Sequence, residues 1–266
     1  MVRYGRTVAR FSRTTVSDIA ALGVTSTVMR IQGPVVDWDA PPIISMHGYT
    51  ANGAAQTLEQ MRGPSATNFP VDALLATGRT IYFPWSGNSF GHESDSYPAV
   101  GGHGANSAIE AMYVAINDFP GQDILTTGCD MVGGSMGACN AVRFMQADFP
   151  IRKAVLYVPL IDLSVAWDLG GDIQTAAKTV WGAADRASFL AATVDADPSR
   201  TDCSVVDSGR TIAIAASNDS LIPYAGVVSW CAQWGVPLTT TASNHLSLDD
   251  PAVDEVGLIL DHLAVQ

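Results

Sequence analysis

Short apolar runs and helix-spaced segments take turns along most of this chain. From residue 41 onward, residues 43–46 form an apolar run of strand length, closed by His47-Gly48. Residues 71–76 read as a short helix ending at Gly78, and 80–83 as a β-rich run stopped by Pro84. Segment 105–119 places Ile109, Met112, Tyr113 and Ile116 at helical spacing. A strand at 130–132 runs into Gly133-Gly134, and a helix at 138–149 ends at Pro150. The spacing then predicts strands at 153–158, 211–216 and 237–241 and helices at 224–234 and 253–263. Alternation of this kind implies an α/β fold: a mostly parallel central sheet with helices on both faces. The Val/Thr-rich stretches 14–16 and 24–31 read as leading edge strands, although their arginine-rich, acid-poor setting is also that of a transit peptide.

Composition narrows the function classes. The chain has 266 residues, 47% of them hydrophobic and 15% charged, so it can fold around a large core without disulfide or metal staples. Its formal charge of −12 repels phosphate backbones, which argues against a nucleic-acid partner. Five arginines (Arg3, Arg6, Arg10, Arg13, Arg30) fall in the first thirty residues, where Asp18 is the one acid, so the body is more acidic than the whole. No apolar run approaches the ~20 residues of a membrane span, and no secretion signal is evident; a cytoplasmic location is the default expectation. Cys129, Cys139, Cys203 and Cys231 show no CxxC spacing and are expected reduced and buried, with a Cys203–Cys231 bridge left open. No metal-ligand motif and no cofactor motif appears: Gly128 to Gly133 lacks the Lys-Ser/Thr of a phosphate loop, and Ser135 stands where a dinucleotide fingerprint needs its second glycine.

In a doubly wound sheet, ligands bind beyond the carboxyl ends of the strands. Two turns there match G-x-S-x-G, the pattern that exposes a nucleophilic serine on a sharp strand-to-helix bend. After Ser135 come small and then apolar residues suited to a helix packed on the sheet. After Ser89 comes Phe-Gly-His-Glu-Ser-Asp-Ser-Tyr-Pro, which suits a loop lining a cleft. Ser135 is therefore the candidate nucleophile.

Five histidines compete for the role of base. His262 sits within the last helix, where a surface position is expected; His47 belongs to a turn; His92 and His103 lie in a long Gly-rich loop. His245 follows a late strand, where a loop can carry an imidazole over Ser135. Asp219 follows the preceding strand, 26 positions earlier, leaving room for one helix and one strand. Its structural alternative is a turn or capping aspartate, and Asp162 is the second candidate acid. For the oxyanion, the backbone N–H groups of Met136, next to the nucleophile, and of Tyr49, after the Gly48 turn, are the candidate donors.

Taken together, these residues resemble the α/β-hydrolase family from about residue 41 onward. His47-Gly48-Tyr49 is similar to that family's oxyanion turn, and Phe90-Gly91-His92-Glu93-Ser94 to its GHGxS loop, with Glu93 in place of the second glycine. Gly133-Gly134-Ser135-Met136-Gly137 resembles its nucleophile elbow, Asp219-Ser-Leu-Ile-Pro its acid loop, and Asn244-His245 its base loop. The resemblance implies one domain over 1–266, with residues 1–40 as an N-terminal arm or leading strands and 160–206 as a small cap insertion. Trp167 and Trp181 in that segment read equally as an acyl-pocket lining or as ordinary helix packing. The implied activity is hydrolysis of a small-molecule or lipid carboxylic ester through an acyl-enzyme on Ser135, with no cofactor. Two rivals remain: a serine peptidase of prolyl-oligopeptidase-like type, and a non-catalytic binding or structural module attached through the arginine-rich arm.

Overall fold

The computed structural model describes residues 13–19, 26–46, 48, 71–85, 128–146, 150–207, 209–245, 250 and 252–264. In chain order the elements are β1 (Arg13–Ile19), β2 (Ser26–Gln32), β3 (Ile43–Met46), α1 (Val71–Leu75), β4 (Ile81–Trp85), β5 (Cys129–Gly134) and α2 (Met136–Gln146). There follow β6 (Ile151–Tyr157), α3 (Ser164–Asp168), α4 (Gly171–Val180), α5 (Arg186–Ala192), β7 (Thr211–Ala216), α6 (Tyr224–Trp234), β8 (Leu238–Thr241) and α7 (Glu255–Leu263). The expected helix over 105–119, and the loop carrying Ser89, His92 and His103, lie outside the described residues.

The strands form an eight-stranded sheet in the order β1-β2-β4-β3-β5-β6-β7-β8. The pairs β1–β2 and β2–β4 are antiparallel, and every later pair is parallel. The valine- and threonine-rich start of the chain thus supplies two strands at one edge of the sheet.

Successive side chains along a strand point to opposite faces, and each central strand loads both. Ile44, Met131, Leu156 and Ala213 join one core, with Phe144 of α2, Trp230 of α6 and Phe189 of α5. Their neighbours Ile43, Val132, Val155 and Ile214 join a second core, with Leu74 of α1 and Ile259 of α7. Burial on both faces is why these strands read as unbroken apolar runs rather than as alternating ones.

Two local expectations are corrected. Pro84 does not stop its strand: β4 continues to Trp85, paired with Thr27 of β2. The pairing of β4 with β3 ends at Tyr82, so beyond that point the missing proline N–H removes no ladder bond on the β3 side. His262 is half-buried rather than on the surface, and its Nε2 donates to the Arg210 carbonyl at 3.0 Å. Burial, partly offset by that hydrogen bond, holds its pKa below the ordinary histidine value. The four cysteines are free and buried, Cys203 and Cys231 included.

One buried polar knot ties the core together. Arg79 donates from Nε to Pro41 O (2.7 Å), from Nη1 to Leu263 O (2.8 Å) and from Nη2 to Asp130 Oδ2 (2.6 Å). Only 4% of the Arg79 side chain and none of Asp130 is exposed. Burial depresses the guanidinium's pKa against the opposing pull of Asp130, yet arginine remains charged throughout the working range. Strand β4, strand β5 and helix α7 are joined through this one side chain.

Candidate active site

Strand β5 ends at Gly134 and α2 begins at Met136, so Ser135 alone makes the turn between them. Its φ is 53°, in the left-handed region, where an L-side chain costs ~1–2 kcal/mol. The turn is tight enough to exclude a side chain two residues earlier. A Cβ on Gly133 would press on the Gly137 carbonyl and lie 2.7 Å from Ala138 Cα. Neighbouring β6 holds the strained turn in place: the Ser135 amide donates to Tyr157 O (2.9 Å), and its carbonyl accepts from Leu160 N (3.1 Å).

The other two candidates arrive from the ends of β7 and β8. Asp219 Oδ1 accepts from the amides of Leu221 (2.8 Å) and Ile222 (2.9 Å), which closes the turn into α6. Its Oδ2 lies 2.7 Å from His245 Nδ1. One oxygen of this aspartate therefore closes the turn and the other faces the imidazole. His245 Nε2 in turn lies 3.1 Å from Ser135 Oγ. A carboxylate can only accept, so Nδ1 carries the proton and Nε2 is left to accept from the serine hydroxyl.

The Asp219 side chain is 2% exposed and that of His245 13%. Burial disfavours the Asp219 carboxylate, but the hydrogen bonds from His245 and from the Ile222 and Leu221 amides outweigh it. The net effect holds its pKa below the ordinary carboxylate value. Asp162, the second candidate acid, instead accepts from Ser164 N at 2.9 Å in the turn before α3.

Of the two backbone donors, Met136 is the first residue of α2, where a helix leaves its amide unpaired within the helix. Tyr49 and His47 lie outside the described residues, and Gly48 between them is buried. Trp167 and Trp181 are half-buried against the first core. The Trp167 ring tilts 36° to Phe189, with centroids 5.2 Å apart. Among the described residues no cluster of His, Cys, Asp or Glu could hold a metal ion, and no helix is long and apolar enough to cross a membrane.

Some neighbours of the site are given no role by the sequence. Ser217 donates from its amide (2.8 Å) and Oγ (3.0 Å) to Thr241 O, and Asn218 Nδ2 donates to Ala242 O (2.7 Å). Ser217 and Asn218 precede the candidate acid directly, and that adjacency was the available signal. Val158, at φ 39°, had none, because valine seldom enters this region of backbone space.

The strand order, the parallel crossovers and a strand–serine–helix elbow at the sheet's carboxyl edge define the α/β-hydrolase fold. Known structures agree over nearly the whole chain. The fluorophosphonate-binding serine hydrolase FphF of Staphylococcus aureus, in a substrate-bound structure, matches at TM-score 0.62 and 13% identity, over 96% of this chain and 99% of that one. The esterase rPPE matches at TM-score 0.62 and 16% identity, over 98% of this chain and 86% of the other. A prolyl endopeptidase also matches at TM-score 0.62, with 15% identity, over 96% of this chain but only 39% of its own. No family model matches the chain, and no curated protein matches it in sequence.

Proposed function

We propose that this chain is a serine hydrolase that cleaves carboxylic esters of small molecules or lipids. The observation that carries the reading is the unbroken Ser135–His245–Asp219 hydrogen-bonded line at three strand ends. Ser135 Oγ attacks the ester carbonyl carbon while His245 Nε2 takes the hydroxyl proton. Asp219 orients the imidazole and stabilises the imidazolium that forms. Collapse of the tetrahedral adduct breaks the bond to the alkoxy oxygen, and His245 returns the proton to the leaving alcohol. Water then attacks the acyl-enzyme, with His245 again as base, to release the acid and restore Ser135.

The amide of Met136, together with that of Tyr49, serves the oxyanion. In this reading 1–266 is one domain, with segment 160–206 as a cap over the site and Trp167 and Trp181 as part of its apolar lining. Their half-buried positions on α3 and just after α4 support that role.

Labelling by a fluorophosphonate probe tests the reading directly. Wild type should label, and Ser135→Ala should not; failure of the first, or equal labelling of both, refutes it. The likeness to 39% of the length of a prolyl endopeptidase chain keeps amide cleavage as the second reading. Faster turnover of aminoacyl-anilides than of short p-nitrophenyl esters would establish that alternative.

A further inference from the structure

Ala242 lies three residues ahead of His245 and is held by both of its peptide groups. Its carbonyl accepts from Asn218 Nδ2 at 2.7 Å, and its amide donates to Asp250 Oδ2 at 2.5 Å. On either side, Thr241 O accepts from Ser217, and Ser243 Oγ donates to Glu255 Oε1 at 3.0 Å. The β7–β8 ladder ends at Ala216 opposite Thr241, so beyond that point these contacts take over from strand pairing.

Two features together define the role of Asn218. It is exposed, so its side chain fills no core position. It also sits directly beside Asp219, so consecutive residues of one loop grip the other loop at Ala242 and at His245. The grip at Ala242 joins the anchors at Thr241, the Ala242 amide and Ser243 in fixing the loop upstream of the imidazole, and of these it is the one supplied by the residue next to Asp219. The partner at Ala242 is a carbonyl, so the contact requires a donor, which the amide supplies and a carboxylate cannot.

We propose that Asn218 is a positioning residue, whose carboxamide locks the base loop to the acid loop and so sets the approach of His245 to Ser135. The inference rests on the catalytic reading given above. Small misplacements of a reacting group can cost up to about a hundredfold in rate, whereas one exposed hydrogen bond contributes little to global stability.

The test compares wild type, Asn218→Ala and Asn218→Asp, the last of which keeps the shape and loses the donor. Steady-state hydrolysis of a p-nitrophenyl ester is measured beside the rate of fluorophosphonate labelling and the thermal unfolding midpoint. Both variants should lose about tenfold in kcat and in labelling rate, with KM within about twofold of wild type and midpoints within about 3 °C. Wild-type rates in the variants overturn the inference and leave the Ser135 reading intact. A raised KM with unchanged kcat overturns it in favour of a substrate contact. Variants that fail to fold overturn it in favour of a purely structural role. Wild type that neither labels nor hydrolyses removes the catalytic reading, and this inference with it.

Discussion

Ser135 and Val158 are the two residues other than glycine with positive φ among the described residues, at 53° and 39°, and they are tied to each other's loops. The Ser135 amide bonds Tyr157, and the Ser135 carbonyl is bonded by Leu160, so the two hydrogen bonds bracket Val158. Val158 itself is 1% exposed, and its amide donates to Ile214 O at 2.7 Å. Backbone strain in the elbow is thus matched by strain in the strand end that holds it, and surrounding packing fixes both.

Glycine adopts the Ser135 conformation without the Cβ penalty. Ser135→Gly should therefore be more stable than Ser135→Ala by about 1 kcal/mol, although both lose the hydroxyl. Urea unfolding of the two variants measures the difference, and equal stability would mean that the elbow carries no strain.

Gly133→Ala should do damage of another kind. Its Cβ would meet backbone atoms of Gly137 and Ala138, which cannot swing aside as a side chain could. Overpacking of this sort destabilises by about 1–3 kcal/mol. The shift of α2 should also slow fluorophosphonate labelling, and an unchanged labelling rate in the folded variant would count against the close contact.

The Asp219 carboxyl has a pKa held below its ordinary value, so it stays ionised throughout the range in which an imidazole titrates. Only neutral imidazole can accept the Ser135 proton. Activity should therefore fall on the acid side with the slope of a single ionisation, which a kcat/KM profile resolves. Asp219→Asn should lower kcat by about 10³–10⁴-fold, by permitting the wrong tautomer at His245. A steeper acid limb in wild type would show the carboxylate titrating too.

His262 gives a pH dependence of stability with the sign fixed by its depressed pKa. Below about 6.5, the value for an unperturbed histidine, the unfolded chain takes up its proton while the folded protein resists. The contribution is therefore fully present above that pH and is lost as pH falls through the folded value. The urea midpoint of wild type should drop more between pH 7.5 and 5.5 than that of His262→Gln.

Removing one partner of the buried Arg79–Asp130 pair leaves the other charge without compensation. Arg79→Met should destabilise by about 3–5 kcal/mol, measured by urea unfolding. A loss below about 1 kcal/mol would mean that Asp130 finds other partners.

Legibility in the sequence followed the range of the interactions. Strand 43–46, strand 211–216 and helix 224–234 were readable to the residue, because apolar runs bounded by turn residues encode them locally. The small residues around Ser135 declared the elbow in the same way. Pro84 misled because its effect depends on which neighbouring strand pairs beside it, and that is a property of the sheet. The Arg79 knot was hidden for a similar reason, although an aspartate inside the apolar run Cys129-Asp130-Met131-Val132 was a visible oddity. Asn218 carries no distinguishing mark as a residue; only the arrival of Ala242 beside it gives it a role.

The reach of Arg79 has a consequence for how the molecule is made. Asp130 lies 51 positions downstream and Leu263 lies 184. At ribosomal speeds of about 5–20 residues per second, about 10–40 s separate synthesis of the arginine from synthesis of its last partner. During that interval β4 and β5 can assemble on either side of β3, but the face that α7 covers stays open to solvent. The nascent chain therefore has a period of exposed apolar surface written into its topology, and it is over this period that a chaperone would find the most to hold.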